Sequence, residues 1–430
     1  MRVLVLAEYY PRATDPVLGV WAHRQTVAAR DAGADVRVLV LHRPLPPLAA
    51  VRRADLTALR RALAQPPQAT LDGVPIQYLS YLSPPRPISY ASWGAWAARP
   101  LRRATRRLHA DFPFDLIHAH YAVPAGDAAR RACPAVPTVV SVHGGDVLGP
   151  HADHANVAGA LRHARIVLAN SAGTARRCAA LGARSTRVVH LGADPELIAE
   201  PSPPAGPSTP TEPSPPAGPS PPTEPSPPAG PSTPTEPSPP AASSPPVAPG
   251  PSLVTVGNLI ARKRHAQVIA AVAQLAGRHP GLRYEIVGDG PERDALLAQA
   301  RALGIADRVR LHGARPHADA VAIARRATLF VMPSVAEAFG VAYVEAMAGG
   351  VPAVGCRGED GPEEIARAGG GIVLVAPDDG AELTATLSDL LDHPDRRAAL
   401  AAEARATVAA QFTWARCGIE TVRAYEAALA

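Results

Sequence analysis

Short apolar runs alternate with longer segments of helical periodicity along most of the chain. Before residue 200 the runs that predict β-strands are RVLVLA, DVRVLVL, PIQYLSYL, DLIHAH, TVVSVHG, RIVLANS and RVVHLG. After residue 250 they are SLVTVGN, RYEIVGDG, RVRLHG, ATLFVMPS, VPAVGC and GGIVLVA. Strands that are apolar throughout and alternate with helices are typical of parallel sheets covered on both faces. The pattern therefore predicts two doubly wound α/β domains.

A proline-rich segment separates these two regions. The stretch EPSPPAGPSTPT begins at Glu200, and closely similar copies begin at Glu212, Glu224 and Glu236. The copies have almost nothing apolar to bury, and their prolines lack a backbone donor, so they predict neither a core nor a helix. We interpret residues 200–250 as a disordered linker that joins an N-terminal domain at 1–199 to a C-terminal domain at 251–411.

The composition indicates a globular chain in a reducing compartment. Apolar residues make up 47% and charged residues 19%, which is typical of soluble domains. The first run, RVLVLA, is interpreted as a strand and not as a signal peptide, and no run reaches the 18 apolar residues or more of a membrane span. The cysteines show neither paired nor metal-ligand spacing, which favours the cytoplasm; they are Cys133, Cys178, Cys356 and Cys417.

Charge is distributed unevenly between the two halves. Residues 1–199 contain 24 arginines and 13 acidic residues, a balance of +11, whereas residues 200–430 contain 19 cations and 25 acidic residues, a balance of −6. A basic N-terminal half predicts an anionic partner, either a phosphorylated substrate, a membrane surface or nucleic acid.

Lys263 is the only lysine in the chain. It lies between Arg262 and Arg264, after the first strand of the second domain and directly before the helical segment HAQVIAAVAQLAG. Ligands of doubly wound domains bind beyond the carboxyl ends of the strands, and cations at a helix N-terminus suit a phosphate. The segment therefore predicts a phosphate site, although chance retention of one lysine in an arginine-rich chain is the alternative.

Two carboxylates lie eight residues apart in PSVAEAFGVAYVEAMAGGVPAVG, residues 333–355. The pattern predicts a strand that ends at Ser334, a loop with Glu337, and a helix from about Val341 to Ala348 that contains Glu345. One carboxylate is then in a loop and the other in a helix, so both can line one cleft, while Gly340 lets backbone N–H groups approach a ligand. The alternative for Glu345 is an ordinary solvated carboxylate.

This strand, loop and helix with an E-x7-E motif resembles the donor-binding signature of the retaining nucleotide-sugar glycosyltransferases of family 4, which have the GT-B fold. Similar motifs occur in both halves, and they are DPVLGVWAHRQ, DLIHAH, VVSVHGGD, VGNLIARK, VGDGPE and GCRGEDGPEEI. Bacterial enzymes that build surface polysaccharides, teichuronic-acid-type enzymes among them, look most similar. The resemblance implies two Rossmann-like domains that face a cleft, and a helix at 412–430 that crosses back to the first domain.

The resemblance also implies roles for residues of the second domain. Glu345 would accept hydrogen bonds from the donor ribose. Glu337 would hold the sugar as a catalytic residue, together with the backbone of Phe339 and Gly340. Lys263 would hold the diphosphate with an arginine, and Arg262 is expected to supply it.

Asn258 changes one of these roles, and His143 and Gly19 extend the implied site to the first domain. The family commonly has an arginine where this chain has Asn258, which is why the second phosphate cation falls to Arg262. On the N-terminal side, the resemblance implies that His143 faces the reacting sugar and that Gly19 lets the N-terminal loop approach the diphosphate or the acceptor. His118 and His120 could be either functional or ordinary core residues.

The sequence thus predicts a glycosyltransferase that moves a sugar from a nucleotide diphosphate sugar to a glycan or polyprenyl-linked acceptor. The resemblance implies retention of anomeric configuration and a role in cell-surface polysaccharide biosynthesis. No D-x-D triplet or His/Cys cluster occurs, so we expect neither a metal nor another cofactor. Alternatives are a nucleotide-sugar epimerase or a phosphorylase on the same fold. A nucleic-acid-binding protein is a remote alternative, because the basic clusters lack interleaved aromatic residues.

Residues 88–112 predict a basic amphipathic helix. Trp93 and Trp96 come before a set of arginines that share one helical face, while Leu101 and Leu108 lie on another; the arginines are Arg99, Arg102, Arg103 and Arg106. Residues 51–63 repeat the theme. The helix is either a solvated surface helix or a contact with an anionic membrane. We therefore expect a cytoplasmic protein, with the inner face of the plasma membrane as a candidate surface.

Overall fold

The computed structural model describes residues 1–45, 57, 60, 64–198 and 250–430. Apart from Gly250, the predicted proline-rich linker lies outside the described residues. The same holds for almost all of the second basic segment at 51–63.

The first sheet has eight strands in the order β3-β4-β2-β1-β5-β6-β7-β8. All neighbours are parallel except β3 and β4, which form an antiparallel hairpin. The strands β1 to β8 are Arg2–Ala7, Asp35–His42, Gln68–Leu71, Val74–Ser80, Leu116–His120, Thr138–Val142, Ile166–Ala169 and Thr186–Val188.

The second sheet is parallel throughout, with the order β11-β10-β9-β12-β13-β14. Its strands β9 to β14 are Ser252–Val256, Arg283–Val287, Val309–Gly313, Leu329–Val331, Ala353–Cys356 and Ile372–Val375. Every apolar run predicted as a strand forms one, so the prediction of two Rossmann-like sheets is confirmed.

Strand β3 is the one strand that the apolar pattern did not predict. It is polar and mostly exposed, and it pairs only with β4 at the edge of the sheet. Asp72 and Gly73 close the hairpin with φ angles of 48° and 75°. Positive φ at both central residues is typical of a type I′ turn, for which Asp-Gly is a preferred pair. The Asp-Gly dipeptide was therefore the indication of this hairpin in the sequence.

Helices cover both sheets. In the first half, α1 to α8 are Val20–Asp31, Arg86–Ser89, Trp93–Asp111, Asp127–Ala132, Gly145–Leu148, Ala155–His163, Ala172–Ala180 and Pro195–Ile198. In the second half, α9 to α16 are His265–Leu275, Arg293–Ala302, His317–Arg325, Val341–Ala348, Asp360–Ala368, Gly380–Asp392, Pro394–Gln411 and Trp414–Leu429. No helix in the described ranges has the length and hydropathy needed to cross a bilayer.

Alternate residues of the central strands enter separate cores. Leu4 of β1 packs in the same cluster as Leu101 of α3, while Val5 packs with Tyr425 of α16 on the opposite face. Two further clusters cover the two faces of the second sheet. Burial of apolar side chains on both faces explains why these strands are apolar throughout.

The last helix, α16, packs on α1 of the first half. A Cβ atom on Gly418 would lie 2.1 Å from the carbonyl oxygen of Ala28, so glycine permits this close approach. Gln25 of α1 donates a hydrogen bond to Thr421, with Nε2 and Oγ1 3.1 Å apart. Both sheets belong to one compact unit.

Candidate functional site

Lys263 and Glu337 form a buried ion pair at the carboxyl edge of the second sheet. Lys263 ends a short 3₁₀ turn after β9, and Glu337 lies in the loop after β12, the neighbouring strand. The ammonium Nζ donates to Oε2 of Glu337 at 2.6 Å, and Ser334 Oγ donates to the same oxygen at 3.0 Å. Lys263 is only 9% exposed and Glu337 only 7%. The resemblance implied that Lys263 contacts the diphosphate and Glu337 the sugar of the donor, and the structure brings these two residues together.

Charged neighbours on both sides affect the pair, Arg262 and Glu359. Burial raises the pKa of Glu337, but the Lys263 ammonium, its hydrogen bond and the Arg262 guanidinium together outweigh burial and hold that pKa below its usual range. Arg262 Nη1 lies 3.4 Å from Oε2 of Glu337, and its side chain is exposed. Glu359 adds a second carboxyl group, because its Oε2 accepts a hydrogen bond from the N–H of Glu337 at 2.8 Å. The two cations therefore face two carboxyl groups, and the exposed Arg262 is the cation that an anionic ligand can reach from solvent.

The third cation of this segment, Arg264, points elsewhere. It adopts a left-handed backbone conformation with φ 57°, and its Nη2 donates to Oδ2 of Asp378 at 3.0 Å. Arg264 therefore does not join Arg262 and Lys263 beside Glu337, and two cations of the segment remain at the site. Asn258 is exposed and brings no charge, and its carbonyl oxygen is hydrogen-bonded to His265 Nε2 at 3.2 Å.

The loop before α12 presents backbone donors. Gly340 has φ 80°, and a Cβ atom there would lie 2.5 Å from Cδ2 of Tyr343, so this position requires glycine. The Phe339 side chain points into the core, with its ring stacked on His190 at 5.6 Å. Within the described residues the N–H groups of Phe339 and Gly340 have no acceptor. It is therefore the backbone of these two residues that is available to a ligand.

Glu345 is the fifth residue of α12 and is hydrogen-bonded to His317, with Oε1 and Nε2 2.7 Å apart. His317 begins α11, and this bond raises its pKa against the opposing effect of burial. The two form an ion pair when His317 is protonated. His317 could not be predicted from the sequence, because 28 residues separate it from Glu345 and no motif links the two.

On the N-terminal side, His143 follows β6 and is stacked on His120 from the end of β5. The ring centroids are 5.2 Å apart, and Nε2 of His143 is hydrogen-bonded to Nδ1 of His120 at 3.0 Å. Burial lowers the pKa of His143 to about 3, so its imidazole is neutral near pH 7. His120 is therefore hydrogen-bonded to His143, the residue that was predicted for the site.

His118 has a different environment. Its Nδ1 is hydrogen-bonded to Tyr425 of α16, and its Nε2 to Ser141 of β6, each at 2.7 Å. Burial lowers its pKa to about 3 as well. Both ring nitrogens have partners, so of the two alternatives for His118 the structure favours a satisfied core residue.

Four buried polar atoms at this edge of the first sheet lack a hydrogen-bond partner among the described residues: His143 Nδ1, His120 Nε2, Trp21 Nε1 and Asn170 Oδ1. Their residues lie at the N-terminus of α1 and at the ends of β5, β6 and β7. Buried polar groups are nearly always paired in native proteins. A group of unpaired ones at the edge where ligands of doubly wound sheets bind indicates a ligand site.

The loop that carries His143 directly contacts the loop that carries Glu337. Gly144 has φ 90°, and a Cβ atom there would lie 2.3 Å from Cβ of Ala338. Asp146 fixes the loop from below: one carboxylate oxygen accepts from the N–H of His143 at 3.2 Å and the other from Ala122 at 2.8 Å. The residues predicted on the two halves therefore face each other at one cleft.

Gly19 immediately precedes α1 and has φ 66°. A Cβ atom there would lie 2.2 Å from the carbonyl group of Tyr9, so no other residue fits without displacing the backbone. Trp21, two residues on, has its ring 6.2 Å from that of His143. The N-terminus of α1, which favours anions, thus lies beside His143.

No three His, Cys, Asp or Glu side chains converge as metal ligands would in the ranges that the structure describes. The expectation that the protein needs no metal stays a prediction.

Two family models match the chain. The one described as Glycosyltransferase Family 4 matches residues 18–197, and the one described as Glycosyl transferases group 1 matches residues 243–407. These ranges correspond to most of the first and second Rossmann-like halves.

Several curated proteins are similar over part of their length. A glycogen synthase of Mycobacterium tuberculosis is 34% identical over 176 residues, which are 41% of this chain and 42% of that protein. A D-inositol 3-phosphate glycosyltransferase of Thermobispora bispora is 36% identical over 186 residues, or 41% of this chain and 43% of that protein. The matches span less than half the length of these relatives.

Solved structures match almost the whole chain. Sucrose-phosphate synthase from Thermosynechococcus elongatus gives a TM-score of 0.71 at 17% identity, with 99% of this chain and 98% of that chain covered. Anabaena HepE in complex with UDP and glucose gives 0.66 at 20% identity, with 99% of each chain covered. At such identities the similarity shows the fold, two Rossmann-like domains as predicted.

Proposed function

Because this chain belongs to the glycosyltransferases, with a family 4 half and a group 1 half on a GT-B fold, we propose that it transfers a sugar from a nucleotide diphosphate sugar to a saccharide acceptor. The acceptor is a glycan or a polyprenyl-linked saccharide, and the reaction retains the anomeric configuration. The observation that carries the proposal is the Lys263–Glu337 pair, with Arg262 beside it, opposite the His143 loop.

Lys263 and Arg262 would hold the donor diphosphate. Cleavage of the sugar–phosphate bond leaves an additional negative charge on the departing diphosphate. Two cations and the free N–H groups of Phe339 and Gly340 are fixed in place before that charge develops, and preorganised donors of this kind commonly contribute several kcal/mol. These side chains meet the charge of the leaving group themselves, and we propose that no metal or other cofactor takes part. Activity should then persist in excess EDTA.

The remaining site residues would orient the sugar and the nucleoside. Glu337 accepts sugar hydroxyls while Lys263 keeps it ionised. Glu345 accepts the ribose hydroxyls in place of, or beside, His317. Neutral His143 offers Nδ1, which lacks a protein partner, to a hydroxyl of the reacting sugar. Gly19 keeps the N-terminus of α1 close to the diphosphate.

A two-stage experiment tests the function. Thermal-shift titrations with nucleoside diphosphates, starting with UDP because HepE is described as a complex with it, should reveal one base that stabilises the chain most. The matching nucleotide sugars are then offered with and without saccharide acceptors, and NMR of the product gives its anomeric configuration. Isomerised donor without acceptor would indicate an epimerase, and lack of stabilisation by any nucleoside diphosphate would contradict the proposal.

We place the reaction in cell-surface polysaccharide biosynthesis, on the cytoplasmic face of an anionic membrane. The arginines of α3 are exposed, whereas Leu101 is fully buried and Leu108 packs against the core. Beside them a groove of about 1000 Å³ lies between α3 and the edge of the first sheet; its basic residues are Arg37, Arg99, Arg103 and Arg107, and Asp111 is its one acidic residue. Trp96 is 52% exposed on the same helix.

Vesicle sedimentation tests the membrane contact. Each basic residue near an anionic surface contributes about 1 kcal/mol, and salt screens this attraction. The protein should sediment with vesicles that contain phosphatidylglycerol and be released as salt rises, and replacing Arg103 and Arg107 by glutamine should weaken this. Equal binding to vesicles of phosphatidylcholine alone would contradict an electrostatic contact.

A further inference from the structure

A second, smaller cavity lies at the carboxyl edge of the first sheet, beside the His143 loop. It has a volume of about 230 Å³, and we call it the tyrosine pocket after Tyr9, Tyr90 and Tyr121, which line it. Tyr9 follows β1 and Tyr121 follows β5, while Gly145, which also lines the pocket, is two residues beyond His143. The pocket therefore adjoins the His143 loop, and through Tyr9, whose carbonyl group lies against Gly19, it is also close to the N-terminus of α1.

The walls of the tyrosine pocket are aromatic. The rings of Tyr9 and Tyr121 have centroids 4.9 Å apart, and the ring of Tyr90 lies 5.7 Å from that of His151. Aromatic faces supply rigid apolar area next to polar edges. The C–H face of a pyranose ring packs on such a surface while its hydroxyl groups reach the polar edges, so the walls suit one sugar residue.

The tyrosine pocket also contains an uncompensated cation. The guanidinium carbon of Arg86 lies 4.3 Å from the ring centre of Tyr90 and 5.2 Å from that of Tyr9. The side chain is exposed and forms no ion pair or hydrogen bond with any residue that the structure describes. Its five N–H donors are thus held in one place by two aromatic faces and remain free for a ligand.

Neither carboxyl group near the pocket forms an ion pair with Arg86. Glu8 is buried and accepts a hydrogen bond from the Tyr90 hydroxyl at 2.8 Å; burial raises the pKa of Glu8, while the charge of Arg86 acts in the opposite direction. Both oxygens of Asp146 accept backbone N–H groups, and burial raises the pKa of Asp146 to about 7. An anionic group entering the pocket therefore meets an unpaired cation.

We propose that the tyrosine pocket binds a sugar residue of the acceptor that carries an anionic group, with the ring against Tyr9 and Tyr121 and the anion paired with Arg86. The anion is a carboxylate, as in a uronic acid, or a phosphate ester. This inference rests on the proposed function, because it assigns the acceptor of that reaction. It predicts that the enzyme extends an acidic or phosphorylated saccharide and discriminates against its neutral counterpart.

Direct binding to the full chain tests the proposal without any turnover. Ligand-observed NMR titrations compare glucuronate, glucose 1-phosphate, glucose and inorganic phosphate. At least one anionic sugar should bind about tenfold or more tightly than both glucose and inorganic phosphate, as a charge-assisted hydrogen bond typically gives. Arg86→Gln should abolish that preference. Arg165→Gln is the matched control. Arg165 is exposed and directly precedes β7, so it lies at the amino ends of the strands, whereas the pocket lies at their carboxyl ends.

Further variants separate this pocket from the donor site. The preference should survive in Lys263→Ala/Glu337→Gln, which removes the proposed diphosphate cation without leaving an unpaired buried charge, and Tyr9→Leu should weaken neutral and anionic sugars alike. If glucuronate and glucose 1-phosphate both fail, the anion is not what the pocket recognises. If inorganic phosphate binds as tightly as the sugar phosphate, the ring contact is absent. Loss of nucleoside diphosphate binding with the preference intact would contradict the proposed function alone.

Discussion

Lys263 and Glu337 pair across the ends of two neighbouring strands, with Nζ 2.6 Å from Oε2, in a site where both are almost completely buried. Neither side chain can be removed without leaving the other as an uncompensated buried charge. Breaking such a pair typically costs about 3–5 kcal/mol. Stability and ligand binding are therefore coupled at this site, and variants must be designed to separate them.

We predict that Lys263→Ala lowers the affinity for the cognate nucleoside diphosphate roughly ten- to a hundredfold and also lowers the melting temperature. In Lys263→Ala/Glu337→Gln the neutral amide removes the buried charge, so the melting temperature should recover while the affinity stays low. Calorimetric titration and thermal denaturation measure the two effects. Arg264→Gln is the control, because Arg264 pairs with Asp378 and should not affect affinity. Recovery of affinity in the double variant would show that Lys263 serves only the ion pair.

We predict opposite behaviour for the two acidic residues of the E-x7-E motif. Glu345→Gln should weaken the nucleoside diphosphate but leave inorganic pyrophosphate unaffected, because pyrophosphate has no ribose. Glu337→Gln should lower kcat while nucleotide affinity is retained, since Lys263 stays available to the diphosphate. If both variants give the same change in both titrations, the division between ribose and sugar is wrong.

We predict that His120 acts by positioning His143. His120→Ala leaves Nε2 of His143 without its partner, so kcat should fall about tenfold or more with nucleotide affinity unchanged. His120→Asn, which can still offer a hydrogen bond, should restore part of kcat. His118→Asn is the contrast: it disturbs the bonds to Tyr425 and Ser141, so the melting temperature should fall and kcat of the folded protein should change little.

Stability should depend on pH because several histidines, among them His118, His120 and His143, have pKa values that burial lowers. Their pKa values in the folded protein lie below the ordinary value, near 3 for His118 and His143. Below about pH 6.5 these histidines are therefore protonated in the unfolded chain but not in the folded one, and acid favours unfolding. Asp146 and Glu8 have raised pKa values and act in the opposite direction. Burial also lowers the pKa values of His23 and His265, whereas the bond to Glu345 raises that of His317. Together the histidines with lowered pKa values outweigh the groups that act in the opposite direction between about pH 6 and pH 5.

Lowering the pH from 6 to 5 should therefore lower the free energy of unfolding by about 1–3 kcal/mol, which thermal denaturation at the two pH values measures. His120→Asn should reduce the slope by about one proton. A melting temperature that rises on acidification over the same interval would show that the carboxyl groups dominate.

Features that depend on one residue or on the composition of a short segment could be predicted from the sequence. Central strands such as β1 are apolar throughout because both faces are buried, so their position followed from composition alone. The edge strand β3 has no buried face, and only its Asp-Gly turn distinguishes it from a loop. Gly340 and Gly19 both require glycine, because a Cβ atom would clash with Tyr343 and Tyr9, while their predicted approach to a ligand stays a prediction.

Pairings between distant segments could not be predicted in the same way. The Lys263–Glu337 bond depends on β9 lying next to β12, an arrangement that the sequence does not encode locally. The same applies to His143 and His120. Arg264 looked equivalent to its neighbours in the sequence, but its left-handed backbone turns its side chain toward Asp378. The candidate site residues were predicted one at a time, and their mutual contacts became visible only in the fold.

The single lysine has a practical consequence for spectroscopy. Reductive methylation with isotope-labelled formaldehyde modifies amines, and this chain offers only Lys263 and the terminal amino group. Because Lys263 is bonded to Glu337, methylation of the unliganded protein should be slow, and a bound nucleoside diphosphate should slow it further. Once labelled, the dimethylammonium signal would report from inside the cleft in a protein of 44.6 kDa, without any engineered tag. Its chemical shift would follow nucleotide binding as a one-probe measurement.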